Sequence, residues 1–233
     1  MVTTKFILTG SSGGIGSALI PKLSSLGSLD ALYYKNSPIV SDAPRVSGIK
    51  LDLTNSSAIK EYVDSLKTNE HNNLIFIHAA TLNKDDLIVN LDSADLIDIF
   101  TINLFSAINF AKALIPVMMA NENGQFIFLT SVVPKMGLTG TSAYSSSKVA
   151  LEQFSRNLVT EYGRFGIRSN VIRLGYFDAG LIKTLSNLES EKILKRIPSE
   201  RFGTIENINK AVDFIVNSEY LNGSILDLDG GIS

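Results

Sequence analysis

Short apolar runs alternate along the chain with longer segments in which apolar residues recur at helical spacing. The short runs predict seven strands, at residues 5–9, 31–35, 47–51, 74–79, 125–131, 168–174 and 224–228. The helical spacing predicts helices at residues 15–26, 58–66, 94–119, 143–165 and 208–216. Strands that alternate with crossover helices are typical of βαβ units. The pattern therefore predicts an α/β fold, with one Rossmann-type, doubly wound parallel sheet and helices on both faces.

One stretch between two predicted strands has no clear period. Residues 175–202 are rich in Lys, Glu and Ser, and they form either a lid over a substrate or a pair of amphipathic surface helices. No internal repeat, low-complexity tract or linker is visible in the sequence. We therefore expect residues 1–233 to form a single domain.

Composition narrows the chemistry that the chain can perform. Its 233 residues are 45% hydrophobic and 19% charged, which is enough for one sizeable core. With 21 basic and 23 acidic side chains the net charge is −2, so no broad basic field attracts nucleic acid or an anionic membrane. The sequence has no cysteine, which excludes disulfides and a cysteine nucleophile. Its two histidines, His71 and His78, have no partner at ligand spacing, so we expect no metal site.

Hydropathy indicates the cellular location of the protein. The longest apolar stretch, residues 113–120, contains Pro116 and is far shorter than the roughly 20 residues that span a bilayer. The apolar run after Lys5 is too short for a signal peptide. We therefore expect a soluble, cytoplasmic protein that does not associate with membranes.

A glycine-rich loop follows the first predicted strand and leads directly into a helix. Glycines allow a tight turn and a close approach to a pyrophosphate, whose charge is favoured by the free N–H groups at a helix start. The spacing differs from the commoner G-x-G-x-x-G form, and a plain strand-to-helix turn is the alternative interpretation. The loop reads Thr9-Gly10-Ser11-Ser12-Gly13-Gly14-Ile15-Gly16, and its candidate cofactor-binding residues are Gly10, Ser11, Ser12, Gly14, Ile15 and Gly16.

The end of the second predicted strand bears on which dinucleotide is bound. NAD enzymes of this architecture place an acidic residue about 20 residues after the loop, on the ribose 2′-hydroxyl. Here Tyr34 stands at that position, followed by Lys35 and Asn36. A cation and hydrogen-bond donors suit a 2′-phosphate. We therefore expect NADP, as NADPH, to be preferred and NAD to be the second choice; the alternative is that Lys35 is only a solvated charge.

Two side chains in a later helix are candidates for proton transfer. Tyr144 and Lys148 are four positions apart, so they share one helix face. A free tyrosine, with a pKa of about 10, is a poor acid at neutral pH. An ammonium group about 4 Å from the phenol, at an effective dielectric constant near 20, lowers that pKa by up to about three units. Tyr144 is then a proton donor near pH 7, unless the pair is an ordinary contact on a helix face.

Several motifs in order resemble the short-chain dehydrogenase/reductase family over essentially the whole chain. They are the loop at residues 9–16, Asp52 after the third strand, Asn103, Ser131 thirteen positions before Tyr144, Lys148, and the final Asp227-Leu228-Asp229-Gly230-Gly231. The 3-oxoacyl-(acyl-carrier-protein) reductase branch is the most similar, through Ser131-Val132-Val133-Pro134-Lys135-Met136-Gly137 and Arg201-Phe202-Gly203-Thr204.

This resemblance implies a role for each matching residue. Tyr144 donates a proton to a carbonyl oxygen, and Ser131 hydrogen-bonds that oxygen. Lys148 holds the nicotinamide ribose and lowers the pKa of Tyr144, while Asn103 positions a water molecule in a proton relay from Lys148. The implied cofactor contacts outside the glycine loop and the Tyr34 region are Asp52, Leu53, Ala79, Ala80, Tyr144, Lys148, Gly175 and Phe177.

The sequence departs from the family pattern at three places. The usual Asn-Asn-Ala-Gly after the fourth strand reads His78-Ala79-Ala80-Thr81, where His78 either replaces the amide hydrogen bonds or is a satisfied structural histidine. The usual Pro-Gly after the sixth strand reads Leu174-Gly175, which changes how the nicotinamide carboxamide is held. Carrier-protein reductases have basic residues before strands five and six, and here those places read Asn121-Glu122-Asn123 and Arg164-Phe165. An acidic carrier would therefore find one cation.

Together these features predict an enzyme that reduces a ketone to a secondary alcohol by hydride transfer from NADPH. Its expected partner is a small-molecule carbonyl substrate. The alternatives are a family member that acts on a sugar or another small polar metabolite, and a non-catalytic cofactor-binding regulator. Apolar residues lie on nearly all sides of the long helix, and related reductases pair such helices between subunits, so we expect a homotetramer, with a dimer next. These residues are Ile97, Phe100, Phe105, Ile108 and Phe110.

Overall fold

The computed structural model describes residues 3–38, 45–66, 73–179 and 186–232. Its centre is a seven-stranded sheet in the order β3-β2-β1-β4-β5-β6-β7, with parallel pairing throughout. The strands are β1 (Thr4–Thr9), β2 (Ser28–Tyr33), β3 (Val46–Lys50), β4 (Asn73–His78), β5 (Gly124–Ser131), β6 (Ile167–Leu174) and β7 (Ile225–Leu228). The expected doubly wound parallel sheet is confirmed.

Helices cover both faces of this sheet. A π-helical turn (Thr101–Phe105) joins the third helix to the fourth, and a 3-10 turn (Gly163–Phe165) follows the sixth. The helices are α1 (Gly14–Leu26), α2 (Ser56–Asp64), α3 (Ser93–Phe100), α4 (Ser106–Ala120), α5 (Val133–Met136), α6 (Ser142–Tyr162), α7 (Asn187–Leu194) and α8 (Ile205–Asn217).

Both faces of the sheet are apolar because side chains alternate along each strand. On β5, Phe126 and Phe128 are buried in the core that α2, α4 and α6 close on one side. The alternate residues Ile127 and Leu129 are buried in the core that α1 and α8 close on the other side. With both faces covered, the loops at the strand ends form the accessible edge of the sheet.

Strand β2 begins and ends earlier than the sequence predicts, at Ser28–Tyr33 instead of residues 31–35. The reason is Asp30, a charged residue that interrupts the apolar run but is buried within the strand. Its carboxylate accepts hydrogen bonds from Lys5 Nζ at 2.6 Å and from the Tyr62 hydroxyl at 2.8 Å. A buried charge with partners on both oxygens is tolerated, so this polar residue does not end the strand.

Two predicted helical regions also differ from the structure. The helix expected at residues 94–119 is divided by the π turn into α3 and α4. For residues 175–202, one of the two expectations was a pair of surface helices. The described part of this segment contains one helix, α7. Residues 180–185 lie outside the described ranges. Phe177 pairs with Gly203, which ties the start of this segment to the residue just after it. The alternative of a lid stays a prediction.

Within the described residues, the stretch from Ser93 to Ala120 is the one helical segment long and apolar enough to cross a bilayer. Ile99, Phe110 and Leu114 from this stretch are fully buried among side chains of the sheet and of neighbouring helices. Packing inside the protein therefore accounts for its apolar character.

Candidate active site

The side chains singled out by the sequence gather at one edge of the sheet. In an open parallel sheet, ligands bind at the carboxyl ends of the strands, beside the point where the strand order reverses. Here that point lies between β1, which ends at Thr9, and β4, which ends at His78. Ser131 ends β5 nearby, and α6 brings Tyr144 to it.

The glycine loop after β1 has the shape of a phosphate-binding loop. Gly10 has a φ of +67°, and a Cβ atom there would lie 2.6 Å from the amide nitrogen of Ala80. A Cβ atom at Gly16 would lie 2.1 Å from the carbonyl oxygen of Gly10, so both positions require glycine. Residues 12–14 are exposed, and no side chain caps α1. The first N–H groups of α1 therefore remain open to an anion, which fits a dinucleotide pyrophosphate.

The side chains of two predicted loop residues, Ser11 and Ile15, contact other parts of the protein. Ser11 is buried, and its hydroxyl donates to the carbonyl of Leu32 on β2 at 2.8 Å. Ile15 packs against the core beneath α1. Neither side chain is offered to a ligand, so any contact these residues make with a cofactor is through the backbone.

The far end of the site lies after β2 and β3. Tyr34, Lys35 and Asn36 are exposed, and Lys35 Nζ lies 5.8 Å from the centroid of the Tyr34 ring. Asp52 accepts hydrogen bonds from the Thr54 amide at 2.9 Å and from the Thr54 hydroxyl at 2.8 Å, which fixes its carboxylate. Leu53 packs against the core. This corner presents a cation and an amide to solvent, and among the described residues Lys35 is paired with no carboxylate.

Ser131, Tyr144 and Lys148 form one cluster, as the sequence predicts. The hydroxyl of Ser131 lies beside the phenol of Tyr144 and favours its ionised form by hydrogen bonding. The Val133 amide donates to Ser131 Oγ at 3.2 Å, which orients the serine. Lys148 Nζ lies 5.7 Å from the centroid of the Tyr144 ring. A hydroxyl, a phenol and an ammonium group thus converge beside the glycine loop.

The pKa of Tyr144 differs from the expectation. Burial raises this pKa above its usual value of 10.0, and the charge of Asp85 acts in the same direction. The hydroxyls of Ser131 and Thr81 oppose the rise. Lys148 lies against the ring and does not produce the lowering expected from a direct contact with the phenol oxygen. Tyr144 is therefore protonated at neutral pH, which is the form that donates a proton.

Lys148 is buried, with a side chain that makes a single hydrogen bond within the described residues. Its Nζ donates to the carbonyl of Leu129 at 3.2 Å. Burial lowers the pKa of Lys148 from 10.5 to about 8, while the charge of Glu152 acts against this. An ammonium group with one protein acceptor has donors left for a ligand, which fits the predicted contact with a ribose.

Asn103 lies in the π turn and is fully buried. Its Oδ1 accepts from the Leu82 amide at 2.7 Å, and its Nδ2 donates to the Leu82 carbonyl and to Ser147 Oγ, each at 2.9 Å. The side chain thus ties the loop after β4 to α6, and both of its polar atoms are already hydrogen-bonded. The role of Asn103 in positioning a relay water stays a prediction.

One ring nitrogen of His78 has a hydrogen-bond partner, and the other has none of normal geometry among the described residues. The sequence predicts either a replacement for the amide hydrogen bonds or a fully hydrogen-bonded structural histidine. Its Nδ1 lies 2.9 Å from Thr9 Oγ1, which also accepts from the Ala80 amide at 3.3 Å. Its Nε2 is buried without a hydrogen bond of normal geometry. Burial and the charge of Lys148 lower the pKa of His78 to about 3, although the carbonyls of Ile102 and Asn103 oppose this. The ring is therefore neutral at physiological pH.

We expect this neutral histidine to make the protein sensitive to acid. The pKa of His78 is about 3 when folded and 6.5 when free, so between these values the unfolded chain binds a proton that the folded chain does not. Stability is present above pH 6.5 and is lost as the pH falls. Between pH 7.5 and 5 the loss from His78 is about 2 kcal/mol. Chemical denaturation at both pH values should show this loss in the wild type and a smaller loss in His78→Asn; equal losses would contradict it.

The remaining predicted cofactor residues line the same edge through their backbone. Ala79 and Ala80 lie directly against Gly10. The Gly175 amide donates to the Leu228 carbonyl at 3.0 Å, which joins the ends of β6 and β7. Phe177 is buried, with its ring against Gly203, so its side chain belongs to the core and is not available to a cofactor.

The structure adds two residues that the sequence analysis did not assign to the site. Thr81 and Asp85 follow β4, and both act on the phenol of Tyr144. Thr81 stands where the family pattern has a glycine. This departure is visible in the sequence, but the sequence does not show that the threonine hydroxyl faces Tyr144. Among the described residues, no group of three or more His, Asp and Glu side chains is placed to hold a metal ion.

Comparison with known proteins points to the same chemistry. Residues 30–233 match the model of the family described as enoyl-(acyl carrier protein) reductase. The 3-oxoacyl-(acyl-carrier-protein) reductase FabG of Buchnera aphidicola subsp. Baizongia pistaciae is 30% identical over 100% of this chain and 99% of its own length. The proteins of the same name from Haemophilus influenzae and Escherichia coli are 28% identical, over 97% of this chain and 96% of their own lengths.

Proposed function

Because the chain belongs to the short-chain dehydrogenase/reductase family and is an NAD(P)H-dependent oxidoreductase acting on carbonyl or hydroxyl groups, we propose that it reduces 3-oxoacyl thioesters to secondary alcohols with NADPH. The observation that carries this proposal is the cluster of Ser131, Tyr144 and Lys148, which lies beside a glycine loop on one sheet edge. A non-catalytic regulator would have no use for this cluster, so that alternative is set aside.

The chain's own residues bind and orient the cofactor. The N–H groups at the start of α1 would hold the pyrophosphate, and Lys35 with its neighbours would hold the 2′-phosphate. Asp52 and the Leu53 backbone would bind the adenine, and Lys148 would donate to the nicotinamide ribose. Bound NADPH would supply the hydride. Backbone contacts would come from Ala79, Ala80, Gly175 and Phe177.

The proton comes from the protein. Ser131 donates a hydrogen bond to the substrate carbonyl oxygen and fixes its position next to Tyr144. Tyr144 then gives its proton to that oxygen as negative charge develops there. The hydroxyls of Ser131 and Thr81, which favour the ionised form of Tyr144, stabilise the phenolate that remains. The relay that returns a proton to Tyr144 would pass through Lys148 and a water molecule that Asn103 positions.

The form in which the acyl group arrives follows from the surface charge. The named relatives are reductases of 3-oxoacyl groups on an acyl carrier protein. In this chain the turn before β5 carries Glu122, and the loop before β6 carries Arg164, which stacks on Phe165 at 4.7 Å. One cation and one carboxylate in these two segments give an acidic carrier little net attraction. We therefore propose that free small thioesters are accepted as well as carrier-bound ones, and the second candidate is a small polar ketone or sugar.

The test is a substrate panel. The loss of NADPH absorbance would be followed with a 3-oxoacyl carrier protein, acetoacetyl-CoA, a simple ketone and a ketose. We expect both thioesters to be reduced with the highest kcat/KM, and the carrier to improve KM by less than about tenfold, because only one favourable surface contact is gained. A ketose reduced faster than both thioesters would establish the alternative, and no reduction of any carbonyl would overturn the proposal.

We also propose that the protein is a cytoplasmic homotetramer, with a dimer as the alternative. Large apolar side chains are exposed on α3, the π turn and α6, namely Ile97, Phe105 and Val149. These three elements pack against one another, and each leaves a large apolar side chain exposed, which favours contact with a second copy. Light scattering should return about 100 kDa for four chains of 25.3 kDa each. A mass near that of one chain at micromolar concentration would contradict this.

A further inference from the structure

A line of alternating charges runs from the candidate active site to the protein surface. Glu152 on α6 accepts two hydrogen bonds from Arg173 on β6, from Nε at 2.9 Å and from a terminal nitrogen at 2.6 Å. Arg173 also donates to Asp227 on β7 at 2.7 Å, and Asp227 accepts from Lys135 on α5 at 2.7 Å. The inner end of this line is buried, because the side chains of Glu152 and Arg173 are only 10% and 12% exposed.

The innermost carboxylate lies next to Lys148. Glu152 is one helical turn after Lys148 on α6, so the two side chains share a face. They also bind consecutive residues of β5: Lys148 donates to the carbonyl of Leu129, and Glu152 accepts from the hydroxyl of Thr130 at 2.8 Å. Lys148 is therefore the first cation of the line and Glu152 its first anion.

Lys148 has few charged neighbours to compete with Glu152. The phenol of Tyr144 and the ring of His78 are both neutral at pH 7. The π turn contributes the neutral side chain of Asn103, and β5 contributes hydroxyl groups. The charge on α5 belongs to Lys135, which is bonded to Asp227. Asp85 acts on Tyr144 and not directly on Lys148.

We propose that Glu152 is a positioning residue that keeps Lys148 in its ammonium form, and that Arg173 limits this effect by neutralising part of the charge of Glu152. This inference builds on the proposed function, because the ammonium group is the form that donates to the cofactor ribose. A buried carboxylate beside an ammonium group favours the charged form, and a cation on the far side of that carboxylate weakens the effect. Removing either partner therefore shifts the titration of Lys148, in opposite directions.

The test is to measure the titration of Lys148 itself in the cofactor-free protein. Lysine carrying carbon-13 at Cε would be incorporated, and the Lys148 signal assigned from its absence in Lys148→Met. In the wild type we expect a midpoint near the pKa of about 8 that burial imposes. Glu152→Gln should lower this midpoint by about one unit or more, and Arg173→Gln should raise it by a smaller amount.

The matched control removes the same charge from a surface pair. Glu206 and Lys210 are one turn apart on α8, 3.9 Å from each other and well exposed, so Glu206→Gln should leave the Lys148 midpoint unchanged. If Glu152→Gln does not fold, Arg173→Gln and the double variant Glu152→Gln/Arg173→Gln still test the proposal. An upward shift for Arg173→Gln and a downward shift for the double variant would support it. No shift in any folded variant would show that the ion pair is structural only, and would overturn the proposal.

A second measurement reads the consequence for binding. Fluorescence titration should show that the affinity for NADPH falls with rising pH as Lys148 loses its proton, and that this fall begins at a lower pH in Glu152→Gln. Neither measurement requires turnover. If the protein reduces no thioester, the proposed function is wrong, but the Lys148 titration still tests the role of Glu152. If the midpoints do not shift, the role of Glu152 alone is wrong.

Discussion

Replacing Tyr144 with phenylalanine should reduce kcat for a good ketone substrate by at least about 10²–10⁴-fold, the usual contribution of general acid catalysis. This corresponds to about 3–5 kcal/mol in the activation barrier. The variant removes the hydroxyl that lies between Ser131 and Thr81 but keeps the ring that contacts Lys148. Cofactor binding should therefore persist while turnover is lost. Initial rates with NADPH, together with a fluorescence titration of NADPH, measure the two effects separately.

A second tyrosine provides the matched control. Tyr176 lies just after β6, and burial raises its pKa, as it raises that of Tyr144. Both phenols are close enough to Asp85 to feel its charge. Ser131 acts on the phenol of Tyr144, whereas the raised pKa of Tyr176 owes nothing to Ser131 or Lys148, so Tyr176→Phe should change kcat by less than about tenfold. If instead Tyr144→Phe kept most of the activity and Tyr176→Phe lost it, the proton donor would be Tyr176.

Changing Lys35 to alanine should weaken the binding of NADPH by about ten- to a hundredfold and leave the binding of NADH nearly unchanged. The expectation rests on the exposed ammonium group at the end of β2, where a 2′-phosphate would make a charge-assisted hydrogen bond worth roughly 1.5–3 kcal/mol. In the wild type the same energy should appear as a preference for NADPH over NADH. Dissociation constants for both cofactors, measured by fluorescence titration at one ionic strength, test both statements.

The control for this substitution is another exposed lysine in a different element. Lys112 is exposed on α4 and does not belong to the segment after β2, so Lys112→Ala changes the net charge equally without removing the proposed contact. It should affect both cofactors alike and only slightly, because exposed charges at long range are screened by salt. Equal dissociation constants for NADPH and NADH in the wild type would contradict the assignment of Lys35.

Features that depend on periodicity or on order along the chain could be predicted from the sequence. The alternating core positions of β5 and the convergence of Ser131 with Tyr144 are both of this kind. Strand β2 was misplaced because Asp30 interrupts its apolar run, and the partners that make this charge tolerable come from β1 and α2. Nothing in the sequence around Asp30 shows that Lys5 and Tyr62 reach it.

Electrostatic details of the site were less accessible for a similar reason. The spacing of Tyr144 and Lys148 gives a shared helix face but not the depth at which the phenol is buried, and burial sets the direction of its pKa. The sequence shows that His78 replaces an amide of the family pattern. It does not show that Nε2 of His78 lacks a hydrogen bond of normal geometry, because this depends on how closely the π turn packs over the ring. Burial and long-range contacts are properties of the folded chain, so local patterns do not encode them.

Because of the π turn, the position of Asn103 in the candidate site depends on the exact number of residues in this helical stretch. Each residue advances a helix by about 100°, so the wide turn at Thr101–Phe105 changes which directions the apolar faces of α3 and α4 can take. Ile99 on α3 joins a small cluster with Leu91, whereas Phe110 on α4 reaches the main core. A regular helix one residue shorter would remain a stable helix, but it would turn Asn103 away from Leu82 and Ser147. A single deletion here would therefore disturb the packing of these two apolar faces and also move Asn103 away from the candidate active site.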